Sequence, residues 1–232
     1  VEKGKLAAEK VEQFNALLTS GTDVADFKDS DIIIEAIIEN IDIKKKVFKQ
    51  LAEITGPECI LATNTSALSI TEIAAGSGRP AKVVGMHFFN PVPAMKLVEV
   101  IPGVETEDAV TEAVVELCKA IGKEPVKAKE SPGFIVNRIL VPYINEAAIA
   151  FGEGIASAEE IDKAMKLGAG MPMGPLALAD LVGIDIVLHV CEYYWKEFGD
   201  SKYRPALVFK QKVRAGHLGM KTGKGFYDYS KK

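Results

Sequence analysis

Histidine, cysteine and tryptophan are scarce in this chain of 232 residues, with three, three and one respectively. Cys59, Cys118 and Cys191 are odd in number and far apart, and no CxxC pair occurs. A disulfide framework and a thiolate metal site are therefore not expected, and a reducing compartment is. No apolar run approaches the ~18 residues of a membrane span, and no signal-peptide pattern opens the chain. There is no basic excess: 28 Lys and Arg stand against 32 Asp and Glu, a formal charge of −4. A nucleic-acid surface is not expected from that balance. A small anionic ligand remains compatible, since it needs only a few local donors. The expectation is a cytoplasmic globular protein.

Glycine is plentiful, yet not where a phosphate loop needs it. "GSGRPA" (76–81) fits G-x-G-x-x-G/A as a string, but it follows a helical stretch, precedes a strand and contains Pro80. A dinucleotide loop requires the reverse order, strand before helix. "GAGMPMG" (168–174) fails in the same way. Both read as loop punctuation.

The chain divides into two halves with different periods. Over 1–130, the short apolar runs "DIIIEAII" (31–38), "CILAT" (59–63), "KVVGMHF" (82–88), "KLVEVI" (96–101) and "PVKA" (125–128) read as strands. Ile43, Val47, Leu51 and Ile54 recur at helical spacing, and helices fit at 69–75 and 107–121. Strands alternating with helices point to a mostly parallel α/β sheet. Over 131–232, after "SPG", the pattern is helical throughout. Ser157 and Glu160 form a capping box, Gly168 stops that helix, and Pro175 and Pro205 sit where first-turn prolines belong. Ala7, Val11, Phe14 and Leu18 form an apolar stripe, and the first strand comes late, so the chain reads as starting inside a domain.

Four polar residues stand near strand ends or helix starts. Ser66 follows a strand in "ATNTSALSI", His87 ends the next, Glu99 sits among valines in the strand after, and Asn137 opens the helical half. At the carboxyl ends of parallel strands such side chains converge on a ligand crevice. A His–Glu pair there suits general acid–base work, and Ser66 and Asn137 suit a substrate oxygen. The plainer readings are a core histidine, a surface asparagine and a turn or N-cap serine. Glu99 resists a plain reading, because an unpaired buried carboxylate is costly.

The stretches "EAIIEN", "ILATNTSALSITEIA", "GMHFFNPVPAMKLVEVI", "SPGFIVNRILVPYINEA", "IDKAMKLGAGMPMGP" and "KTGKGFYDY" resemble the 3-hydroxyacyl-CoA dehydrogenase family, and its bacterial 3-hydroxybutyryl-CoA dehydrogenase branch in particular. The resemblance spans the whole chain in order. It implies a Rossmann-type domain (1–130) and an all-α dimerisation domain (131–232), giving a homodimer or higher oligomer. The implied reaction interconverts 3-hydroxyacyl-CoA and 3-oxoacyl-CoA with NAD(H) or NADP(H), in short-chain fatty acid and butanoate metabolism. By motif, His87 corresponds to the catalytic base and Glu99 to its partner, while Ser66 and Asn137 hold the substrate oxygen. Glu39, Lys44, Ser66, Asn90 and Lys221 correspond to cofactor contacts, and Lys3 and Lys5 to the basic stretch near CoA. Phe88, Phe89, Pro91 and Pro93 are expected to wall the pocket. Helices 134–151 and 184–198 are expected to form the subunit interface, with Ile184, Val187, Leu188, Cys191 and Trp195 as the shared core. The family's opening strand, Gly-rich loop and second strand are absent, on the order of 50 residues and somewhat more than one βαβ unit. An N-terminally truncated Rossmann-type domain is expected. The competing reading is a non-catalytic structural or acyl-CoA-binding relative, which would not require all of Ser66, His87, Glu99 and Asn137.

Overall fold

The computed structural model describes residues 7–230. Lys3 and Lys5 lie outside the described residues. Helix α1 (Ala8–Ala16) leads, by way of a short 3-10 turn, into strand β1 (Ile32–Glu35). Helix α2 (Ile41–Ile54), β2 (Ile60–Thr63), α3 (Ile70–Ser77), β3 (Val83–Phe88), β4 (Leu97–Pro102), α4 (Asp108–Ala120) and β5 (Glu124–Lys127) complete the first half. The strands form one sheet in the order β1-β2-β3-β4-β5. Neighbours are parallel except β3 and β4, which run antiparallel. The sheet is thus mixed, and the single reversal decides the site.

Period-two alternation gives the sheet two covered faces. Leu61, Val83 and Ile101 pack with Phe48, Leu51, Ile70 and Ile73 of α2 and α3. Ala62, Val84, Met86, Val98 and Val100 pack against Val110, Val114 and Cys118 of α4. Alternation also sorts the pocket residues. Phe88 shares the face of Met86 and packs with the α4 cluster, so it does not wall the pocket as expected.

The second half is helical: α5 (Val136–Gly152), α6 (Ala158–Gly168), α7 (Pro175–Val182), α8 (Ile184–Phe198) and α9 (Leu207–Arg214). The Ser157–Glu160 capping box forms in both directions. Pro175 occupies the first turn of α7, whereas Pro205 precedes the cap of α9 and lies outside it. Ile184, Val187, Leu188 and Cys191 are buried inside this half against Ile144, Leu176 and Phe209. They are therefore not a shared intersubunit core. Trp195 alone of that group stays exposed, at 42%. Of the first apolar stripe, Phe14 and Leu18 are exposed and Val11 is half-buried. "GSGRPA" runs from the end of α3 through Gly78, a left-handed C-cap at φ 75°, toward β3. It is a helix stop.

Candidate active site

The reversal between β3 and β4 sets His87 directly opposite Glu99 in the strand register. Cross-strand partners project on the same face, so the two side chains meet. His87 Nδ1 lies 2.7 Å from Glu99 Oε2, and both residues are buried. The carboxyl ends of the parallel β2 and β3 lie side by side as expected, but Glu99 joins His87 by antiparallel register, because β4 runs the other way. The second oxygen, Oε1, accepts the N–H groups of Ile135 (2.9 Å) and Val136 (3.0 Å). Glu99 thereby caps the start of α5, where free N–H groups and the helix dipole favour a negative charge. Burial pushes the Glu99 carboxyl up, but the His87 bond and the two backbone donors outweigh it and hold the group below its ordinary value. An ionised Glu99 only accepts, so the Nδ1 proton belongs to His87, and in the neutral imidazole Nε2 is the nitrogen that can accept a proton. Phe89 packs on the imidazole with ring centroids 4.5 Å apart, and Phe134 meets it edge-on at 5.6 Å.

Ser66 and Asn137 approach from opposite sides. The Asn137 amide reaches the Ser66 carbonyl at 3.5 Å. The Ser66 loop is pinned by Glu39, whose Oε1 accepts the Thr65 hydroxyl (2.5 Å) and the Ser66 N–H (3.0 Å). Glu39 in turn faces Lys44 at 3.4 Å, while Lys44 is bonded to Glu35 at 2.6 Å. Glu35 also accepts the Thr63 hydroxyl at 2.8 Å. Lys44 is 1% exposed, so its ammonium faces these carboxylates and not solvent. Asn64 accepts the Phe88 N–H at 2.8 Å and fixes the end of β3.

A cavity of about 500 Å³ opens beside this network, lined by Glu39, Asn64, Ser66 and Leu68 from the sheet side and by Asp185, Ile186, His189, Val190 and Tyr193 from α8. Asn64 joins the cavity wall to the end of β3, next to His87 in the chain, and the cavity takes its lining from both halves. A family model described as "3-hydroxyacyl-CoA dehydrogenase, NAD binding domain" matches residues 1–131, and its C-terminal domain counterpart matches 133–229.

The chain belongs to the 3-hydroxyacyl-CoA dehydrogenase family.

Among its relatives, 3-hydroxybutyryl-CoA dehydrogenase of Clostridioides difficile is 55% identical over 231 residues, covering 100% of this chain and 82% of that protein. The mitochondrial hydroxyacyl-coenzyme A dehydrogenase of Rattus norvegicus is 45% identical, over 98% of this chain and 73% of its own. The crystal structure of (S)-3-hydroxybutyryl-CoA dehydrogenase from Ralstonia eutropha is similar with a TM-score of 0.96 and 51% identity, covering 99% of this chain and 81% of that one.

Within this dehydrogenase fold the remaining residues singled out by sequence are scattered. Lys221 sits in a 3-10 turn near the C-terminus and pairs with Asp185 at 2.6 Å, which places it at the cavity rim. Asn90 is exposed, just beyond β3. Glu35, Asn64, Thr65 and Tyr193 were not singled out by sequence. Glu35 carried the same signal as Glu99, a carboxylate inside an isoleucine run. Burial and nearby carboxylates push the Tyr193 phenol up to about 12, so it stays a protonated donor at the cavity wall.

Proposed function

We propose that this chain catalyses the NAD(H)-dependent interconversion of 3-hydroxyacyl-CoA and 3-oxoacyl-CoA, with 3-hydroxybutyryl-CoA and acetoacetyl-CoA as the preferred pair. The single observation that carries the reading is the buried His87–Glu99 pair, in which Glu99 takes Nδ1 and leaves Nε2 free of that bond.

The cavity suits a nicotinamide nucleotide. Glu39 offers a partly exposed carboxylate for ribose hydroxyls, and Leu68, Ile186 and Val190 offer apolar surface for a ring. Glu39, Ser66, Asn90 and Lys221 would hold the cofactor, with Lys44 acting through Glu39. When bound, NAD(H) accepts or supplies the hydride. In the oxidative direction His87 Nε2 takes the proton of the 3-hydroxyl group, and Glu99 stabilises the imidazolium that forms. In the reductive direction the imidazolium returns that proton. The Ser66 hydroxyl and the Asn137 amide hold the substrate oxygen at this point. Phe89 and Phe134 keep water from the imidazole. Lys3 and Lys5 are assigned to the CoA end.

We assign the division of labour to residues 1–130 and 131–232. A homodimer or higher homo-oligomer forms through exposed apolar residues of the helical half, among them Ile139, Trp195 and Leu207. Three free, buried cysteines favour a cytoplasmic setting. No helix among the described residues is long and apolar enough to cross a membrane.

The test is consumption of NADH with acetoacetyl-CoA, beside free acetoacetate. Turnover of the thioester well above that of the free acid is expected. No turnover of either would overturn the assignment.

A further inference from the structure

Phe134 is the one non-glycine residue among those described with a positive φ, at 53°. A bulky side chain rarely adopts this left-handed backbone, and such conformations persist only where their surroundings enforce them. Here the turn is crowded and hydrogen-bonded. Gly133 before it is also left-handed at φ 77°, and the Tyr194 hydroxyl occupies the space beside it, 1.6 Å from where a Cβ would stand. Phe134 donates its N–H to Ser131 O at 2.9 Å, and Arg138 donates to Gly133 O at 3.1 Å. The turn is closed on both sides.

Two consequences reach the acid–base pair. The Phe134 ring, 4% exposed, meets the His87 imidazole edge-on with centroids 5.6 Å apart. The next two residues, Ile135 and Val136, aim their N–H groups at Glu99 Oε1. An extended or right-handed residue at 134 would redirect both groups and withdraw the ring. One residue therefore touches both members of the pair, by its side chain and by the chain direction it sets.

We propose that Phe134 is a positioning residue for the reaction: its left-handed turn and its ring together hold His87 and Glu99 so that Nε2 alone faces substrate. This rests on the pair being the acid–base centre. A role in packing alone predicts lost stability and no change at His87.

Two variants of the full chain separate these roles. Phe134→Leu keeps apolar volume, and Phe134→Gly relieves the backbone while removing the ring. The first readout is the NMR resonance of the His87 Nδ1 proton, identified by its disappearance in His87→Gln. In folded Phe134 variants its exchange with water should quicken about tenfold or more. The second readout is kcat, which should fall about tenfold or more while KM for acetoacetyl-CoA stays within about threefold, since small misplacements of reacting groups are known to cost up to ~10²-fold. If Phe134→Gly does not fold, Phe134→Leu carries both readouts. An unchanged resonance in a folded variant, or a change in KM with kcat untouched, would overturn the proposal. The resonance needs no turnover, so failure of the dehydrogenase assignment is told apart from failure of this one.

Discussion

Lys44 and Glu35 meet at 2.6 Å with side chains only 1% and 2% exposed, a fully enclosed ion pair nine residues apart in sequence. Such a pair gives little net stability over apolar replacements, but removing Glu35 leaves the buried Lys44 with Glu39 alone, at 3.4 Å. Glu35→Ala should therefore destabilise by up to about 3–5 kcal/mol, while the double change Glu35→Leu with Lys44→Met should cost less. Urea unfolding of the three proteins checks this. A single variant as stable as wild type would contradict the pairing.

Glu99 links stability to pH. Its folded carboxyl is held below the ordinary value, burial being outweighed by His87 and by two backbone N–H groups. The contribution is thus complete above the unfolded value of about 4.3 and is lost as pH falls through the lower folded value. The stability gap between wild type and Glu99→Gln should be full near pH 6–7, roughly two units above that value, and close in acid. Unfolding free energies measured across this range test the sign. A gap that widened in acid would be the wrong sign.

The C-terminal "GKGFYDY" segment is clasped by Asp180, which accepts the N–H groups of Phe226 and Tyr227, each at 2.9 Å. Gly225 allows this approach, because a Cβ there would stand 2.0 Å from Asp180 Oδ1. Gly225→Ala should cost about 1–3 kcal/mol by overpacking. The cost should shrink in an Asp180→Gly background, which a double-mutant cycle would register as coupling. Additive effects would refute the clasp.

Assembly should depend on the outward face of the helical half. Trp195 and Leu207 are 42% and 65% exposed and line one groove of the helical half. Trp195→Glu with Leu207→Glu should shift sedimentation at micromolar concentration toward the monomer. An unaltered oligomer would place the contact elsewhere.

Much of this was legible in the residues. Five strands and the helices between them follow from short isoleucine and valine runs bounded by Gly, Pro and capping residues, and the observed ends fall within a few residues. Glu99 stood out because a carboxylate among valines must find partners. What stayed hidden was relational. Nothing in "KLVEVI" states that β4 turns back along β3, so the reason His87 meets Glu99 was misplaced. Helix α8 is apolar on more than one side, and period alone does not say that Ile184, Val187 and Cys191 face inward while Ile186 and Trp195 face out. The left-handed Phe134 also escaped, because nothing in "SPGFIV" marks the residue after Gly133 as left-handed, and the Tyr194 that crowds Gly133 comes from a distant helix.

The most direct test is His87→Gln. Glutamine keeps polarity and much of the volume but has no basic nitrogen at the position of Nε2. Steady-state kinetics with acetoacetyl-CoA and NADH should show kcat lower by about 10²-fold or more, the scale of a positioned general acid–base group, with a smaller change in KM. The variant should melt near the wild-type temperature. Near-normal turnover in a folded His87→Gln protein would contradict the acid–base assignment at its centre.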